Sequence, residues 1–138
     1  MKYDDASWHY GGDYPEDLTE DAGGIHIGMF LVWCLLNNLS SEIHTQGITE
    51  LKKRQVTPGK WFIETCDEKF TNEDLNEIGN SFAEYYYDLD DGNYLADYDE
   101  LLSKDLESIY HATDDWEFFD LLSPVITSRF TQWQKQKG

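Results

Sequence analysis

Apolar positions along this chain fall into one long run and several shorter periodic stretches. The long run covers residues 22–41, AGGIHIGMFLVWCLLNNLSS, and contains no Asp, Glu, Lys or Arg. On a helix, Ile25, Met29, Val32 and Leu36 share one side, while Phe30, Trp33 and Cys34 cover the rest. A helix that is apolar all round lies buried in a domain or in a membrane. Its apolar core, residues 27–36, falls well short of the roughly 20 residues a bilayer span needs. The pattern therefore predicts a buried central helix at about residues 24–38, with the remaining elements wrapped around it.

Residues 1–21 read as a polar, aromatic lead-in, irregular or shortly extended, punctuated by Gly11-Gly12 and Tyr14-Pro15. Tyr3, Trp8, Tyr10 and Tyr14 are too many aromatics to leave in water, so this segment should pack over the core. A turn at 37–41 ends the central helix. A short helix over ELKKRQ follows Ile48-Thr49 and carries the basic patch Lys52, Lys53 and Arg54. Thr57-Pro58 is an N-cap with proline at the first helical position, and Trp61, Phe62 and Thr65 form the inner face behind it.

Thr71, with Asp74 three residues on and Phe70 able to staple to Leu75, marks a further helix start. That helix places Leu75, Ile78, Phe82 and Tyr86 on one stripe and Glu73, Glu77 and Glu84 outward. Beyond a loop at 88–93, Tyr94, Leu95, Tyr98, Leu101 and Leu102 fit another helix. Residues 108–112 read as a connector. Thr113 then caps a segment with Trp116, Phe119 and Leu122 in register, and Ser123-Pro124 restarts or kinks it before Val125, Ile126, Phe130 and Trp133. Strand alternation, repeats and low-complexity linkers are lacking. The expected fold is all-α, a single domain over 1–138 with six or seven helices, several of them short.

Composition adds one strong fact. The 138-residue, 16.1 kDa chain has a formal net charge of −18, very unevenly distributed. Residues 1–60 hold nine acids and five bases, residues 61–120 nineteen acids and two bases, and residues 121–138 no acid and three bases. A field of that sign repels nucleic acid and anionic lipid and speeds encounter with basic proteins. Cys34 and Cys66 are too few for a disulfide framework. The opening MKYDDASWHYGGD lacks the basic-then-apolar pattern of a signal peptide, so a reduced, cytoplasmic setting is expected.

Two groups of residues invite chemistry. The loop DLDDGNYLADYDE at 88–100 suggests calcium but fails on register. With Asp88 as the first position of an EF-hand loop, Gly92 falls at position five and Asp99 replaces the closing glutamate. It reads instead as a solvated acidic turn, or as a surface that grips basic side chains by carboxylate charge and tyrosine area. The partner-binding candidates are Glu73, Glu77, Glu84, Asp88, Asp90, Asp91, Tyr94, Asp97, Tyr98, Asp99 and Glu100. The second group is Asp4, Asp5, His9 and Asp13, with His26 not far behind. These residue types could form a metal site or an acid–base pair. Their spacing matches no known ligand pattern, so the expectation is no metal and no cofactor, with His9 and Trp8 anchoring the lead-in to the central helix. No GxSxG, P-loop or GxGxxG occurs. Cys66 precedes Asp67-Glu68, whose charge opposes a reactive thiolate. His44 and His111 stand alone.

The opening KYDDASWHYGGDYP, the helix IHIGMFLVWCL, the block TPGKWFIETCDEKFTNEDLNEIGNSFAEYYY, and the closing segment from Trp116 through Ser123-Pro124 to Arg129-Phe130 and Trp133 resemble a family of small acidic bacterial proteins of unknown function. The resemblance spans essentially the whole chain and implies no reaction, cofactor or catalytic residue. By analogy of size and acidity, such proteins are similar to immunity proteins of bacterial toxin systems. The leading expectation is a cytoplasmic, non-enzymatic binding module, an immunity protein that occludes the basic active-site surface of a cognate toxin. A nucleic-acid mimic aimed at a DNA-binding protein is the sibling alternative. The rival from another class is an enzyme or a metal or small-ligand binder built on Asp4, Asp5, His9 and Asp13.

Overall fold

Helix α2 (Ile25–Leu36) is the axis of the molecule, and eleven of its twelve residues are buried. The computed structural model describes residues 1–12, 14–102 and 108–137. Around α2 these residues form a mostly helical single domain. Strand β1 (Lys2–Asp5) and helix α1 (Ala6–Tyr10) precede α2, with a 3-10 turn at Glu20–Gly24 leading into it. After it come α3 (Thr45–Lys52), α4 (Pro58–Cys66), strand β2 (Lys69–Thr71), α5 (Glu77–Tyr86), α6 (Tyr94–Leu102) and α7 (Trp116–Lys137). Single 3-10 turns at Glu42–His44, Asn72–Asp74 and Ile109–His111 join them. Among the described residues, no helix is long and apolar enough to cross a membrane.

The lead-in is more ordered than its composition predicts. β1 pairs antiparallel with β2, Asp4 opposite Phe70 and Asp5 opposite Lys69, with an irregularity between Lys2 and Asp4. A pairing this short leaves no readable alternation. Tyr3 packs on Phe70 with ring centroids 5.0 Å apart, and its hydroxyl donates to Asn80 Oδ1. Trp8 does not anchor the segment as expected. It is half exposed, with the Lys2 ammonium over its ring.

Helix α4 crosses α2 at very close range. A Cβ added at Gly28 would lie 2.6 Å from the Pro58 carbonyl oxygen and 2.9 Å from Gly59 Cα, so the two backbones meet where side chains are missing. Gly28→Ala is expected to force the helices apart and to destabilise the fold by about 1–3 kcal/mol, read as a lower midpoint in urea unfolding. The cap of α4 also differs from expectation. The Thr57 hydroxyl does not cap its own helix but donates to Asp114 (2.6 Å), and Asp114 accepts the Gly59 and Lys60 amides at 2.7 and 3.0 Å. A distant carboxylate thus satisfies the first turn and complements its dipole. Behind the cap, Trp61 and Phe62 are buried, whereas Thr65 faces solvent.

The Thr71–Asp74 capping box forms, but it closes only the 3-10 turn. Asn76 caps α5 through the Gly79 amide. Within α5, Phe82 and Tyr86 are buried and Ile78 is exposed. α3 begins five residues earlier than the ELKKRQ pattern suggests, and Arg54 lies beyond it at positive φ. α7 runs unbroken through Pro124 instead of restarting there. Proline leaves the Asp120 carbonyl without an intrahelical donor, and both residues are exposed, so water can take its place. Asp115 rather than Thr113 receives the Phe118 amide at its N-terminus. From α7, Leu122, Ile126 and Trp133 complete the core.

Candidate functional site

Five elements converge on one buried carboxylate. β1 carries Asp4 inward to 0 % exposure, and α1, starting at the next residue, brings His9 back over it. α1 is held in place by Asp5, whose Oδ1 accepts the Ser7 amide and hydroxyl at 2.9 and 2.8 Å and whose Oδ2 pairs with Lys2 at 2.9 Å. His26 enters from the first turn of α2. Tyr87, just past α5, and Tyr110, in the turn at Ile109–His111, close the group.

The Asp5 amide (2.8 Å) and His9 Nε2 (2.7 Å) meet Asp4 Oδ1. The Tyr87 hydroxyl (2.6 Å) and His26 Nε2 (3.2 Å) meet Oδ2. Four donors match the four lone-pair directions of a carboxylate. His9 Nδ1 contacts the Tyr110 hydroxyl at 2.8 Å, and the two Nε2 atoms are 3.2 Å apart. The Tyr110 ring lies against both imidazoles, with centroids 5.5 and 6.1 Å away. Among the described residues, His26 Nδ1 and the Tyr98 hydroxyl are buried without hydrogen-bond partners.

The charge states follow from this arrangement. Burial alone would raise the Asp4 carboxyl, but hydrogen bonds and charge from His26 and His9 outweigh it and hold the group well below the usual carboxylate range. Burial pushes His26 down, against the pull of Asp4, which favours its neutral form. Burial, then the Asp4 charge, keeps Tyr87 protonated and so a donor. An anion and an imidazole that burial favours as neutral thus lie side by side in a closed space.

Of the N-terminal candidates, Asp4 and His9 come together. Asp5 is the cap of α1 and faces away, and Asp13 lies outside the described residues. His26, which the sequence places not far behind them, completes the group together with Tyr87 and Tyr110, which the sequence pattern did not select. The signal for His26 was present: an imidazole inside a charge-free, buried run must find a partner. A second, smaller group joins His44 Nε2 to Asp74 Oδ1 at 2.7 Å with Cys66 nearby, while Asp74 Oδ2 accepts the Thr71 amide at 2.8 Å.

The expected partner-binding surface is partly different. Glu73, Glu77, Glu84, Asp90, Asp91, Asp99 and Glu100 are exposed. Asp88 is half-buried and folds its own loop, accepting the Asp90 amide at 2.9 Å. Asp97 is held in a two-point pair with Arg129 at 2.8 and 2.9 Å and accepts the Tyr86 hydroxyl at 2.7 Å. Tyr94 and Tyr98 are fully buried and belong to the core, so they offer a partner nothing. Tyr94 instead donates to the His26 carbonyl at 2.5 Å, tying α6 to α2.

The profile of a domain of unknown function, DUF7832, matches residues 2–112. The chain belongs to the DUF7832 family. The DUF7832 stretch takes in Asp4, His9, His26, Tyr87 and Tyr110 together with the exposed carboxylates between residues 73 and 100. No curated protein and no solved structure matches the chain.

Proposed function

We propose that this DUF7832 chain is a non-enzymatic, acidic protein-binding module whose partner is a basic protein, with a cognate bacterial toxin as the leading candidate. In that role it acts as a cytoplasmic immunity protein, covering the cationic groove a toxin uses for its substrate. The observation that carries the reading is the set of seven exposed carboxylates, Glu73, Glu77, Glu84, Asp90, Asp91, Asp99 and Glu100. Among the described residues, none of them lies within ion-pair distance of a lysine or arginine. Unneutralised carboxylates repel one another and weaken the fold, while a cationic partner would reverse that effect and be steered to the surface.

The test is retention of a basic protein from the native strain at low salt and its release at high salt. The retained protein's association rate is then measured against the wild type and a variant carrying Asp90→Asn, Asp91→Asn, Asp99→Asn and Glu100→Gln. The variant should associate roughly tenfold or more slowly, with a flatter salt dependence. A retained toxin whose activity the chain blocks supports immunity. A retained DNA-binding protein would instead make the chain a nucleic-acid mimic. No retention at either salt, or an association rate unchanged by the four substitutions, overturns the acidic-surface reading.

A further inference from the structure

The seven surface carboxylates leave the buried group around Asp4 without a role. Hydrogen bonding explains the carboxylate well but the imidazoles poorly. If both Nε2 atoms carry protons toward Asp4, two like donors face each other only 3.2 Å apart. If one is deprotonated so that they bond to each other, the shared proton is drawn off the carboxylate line. A single cation in place of the protons removes the conflict, because both lone pairs and the carboxylate then point at the same centre.

The spacings fit such a centre. Two ligands of a tetrahedral ion with bonds of about 2.0–2.1 Å lie about 3.3 Å from each other. His26 Nε2 is 3.2 Å from His9 Nε2 and 3.2 Å from Asp4 Oδ2. His9 Nε2 meets the other oxygen, Oδ1, at 2.7 Å, so a small rotation of the carboxylate would present one oxygen to both imidazoles, and one ligand atom from each of the three residues already lies within 4.8 Å of the other two. The supporting shell is also partly built. The Tyr110 hydroxyl can accept from His9 Nδ1, which directs the lone pair of Nε2 inward, and the Tyr87 hydroxyl orients Asp4. The group at His44, Asp74 and Cys66 lacks these features. It has one imidazole in place of two, and burial pushes the Cys66 thiol up, away from the thiolate form that binds metal.

We propose that Asp4, His9 and His26 bind one divalent transition-metal ion of the zinc type, through Nε2 of each histidine and one carboxylate oxygen. Two imidazoles and one carboxylate suit zinc or ferrous iron over calcium or magnesium, which prefer all-oxygen sites. Three protein ligands are one fewer than a closed structural zinc site uses, so a solvent or substrate atom completes the coordination.

The full chain, stripped with chelator, is titrated with Zn2+ by calorimetry and with Co2+ by visible absorption. One ion per chain is expected, with the strong visible bands of a low-coordinate Co2+ site, together with a rise in melting temperature that grows with free Zn2+. His9→Gln keeps the net charge of the chain and should weaken binding by more than about tenfold, whereas His44→Gln should not change it. Because a substitution here could disturb the fold, the wild type is also followed by NMR. Zn2+ should move the imidazole signals of His9 and His26 and leave those of His44 and His111 in place. Equal Zn2+ uptake by wild type and a folded His9→Gln, shifts confined to His44 or His111, or no uptake beyond weak association with exposed carboxylates would each overturn the assignment. None of these outcomes bears on docking of a basic partner, which is scored separately by the four surface substitutions.

Discussion

Phe30→Ala should lower the stability of this protein by about 3–5 kcal/mol, among the largest effects any single truncation can have here. Phe30 is fully buried on α2, and its ring meets those of Phe70, Phe82, Tyr86, Tyr87 and Tyr94 with centroids 4.9 to 6.1 Å apart. Through it β2, α5 and α6 all touch the central helix. The alanine variant loses the transfer free energy of the ring and leaves a cavity. The rings around it cannot readily collapse into that cavity, since Tyr86, Tyr87 and Tyr94 are each held by a hydroxyl hydrogen bond. For a domain of this size the loss corresponds to a melting temperature lower by roughly 10–20 °C, measurable by calorimetry. A loss under about 1 kcal/mol would show that the aromatic cluster is loosely packed.

Asp4→Ala should be comparably severe, at about 3–5 kcal/mol, for a different reason. Removing the carboxylate leaves two imidazoles, the Tyr87 hydroxyl and the Asp5 amide without their acceptor in a space that water does not readily enter. Asp4→Asn should fall between the two, because the amide still accepts at one atom but presents N–H groups at the other. The pH dependence of the chelator-treated chain has a definite sign. His26 has a folded-state pKa below its ordinary value of about 6.5, so the unfolded chain takes up that proton first. Stability therefore begins to fall as the pH drops below about 6.5. Asp4 is likewise held low in the folded state, so its contribution is complete above about pH 4–5 and is lost as the pH falls further. Chemical denaturation at pH 7, 5.5 and 4 should show a falling midpoint for the wild type. The gap to Asp4→Ala should narrow only at the acid end. A midpoint independent of pH over this range would contradict the charge states assigned to the cluster.

How much of this was legible beforehand differs by element. The central helix was plain, because a run without charges in an acidic chain has nowhere to go but inside. Local chemistry marks Thr57-Pro58 and Thr71–Asp74 as helix starts; α4 does begin at the first, while the second closes only a 3-10 turn and α5 begins after Asn76. Their side-chain partners, however, depended on distance in space: Asp114 caps α4 from 55 residues away along the chain, and no local rule reports that. Tyr94 and Tyr98 show two rules in competition. Their spacing with Leu101 and Leu102 gave a buried helical stripe, while their acidic neighbours suggested a binding surface, and burial won because their rings fill the space between α2 and α6. Asp4 was hidden for the opposite reason. In sequence it is one of seven acids in a polar lead-in, and only the pairing of β1 with β2 turns it inward. The strand itself is four residues long, too short for its period to register.

The packing of α7 has a bearing on where this family's unit is drawn. The DUF7832 match stops at residue 112, before a helix whose Trp133 and Phe130 rings press on Phe82 and whose Thr127 hydroxyl receives the Trp33 indole N–H. A boundary placed there passes through the hydrophobic interior and would leave two aromatic side chains uncovered. In this chain, then, the segment recognised by homology ends short of a helix that covers its aromatic interior, and expression should include that helix.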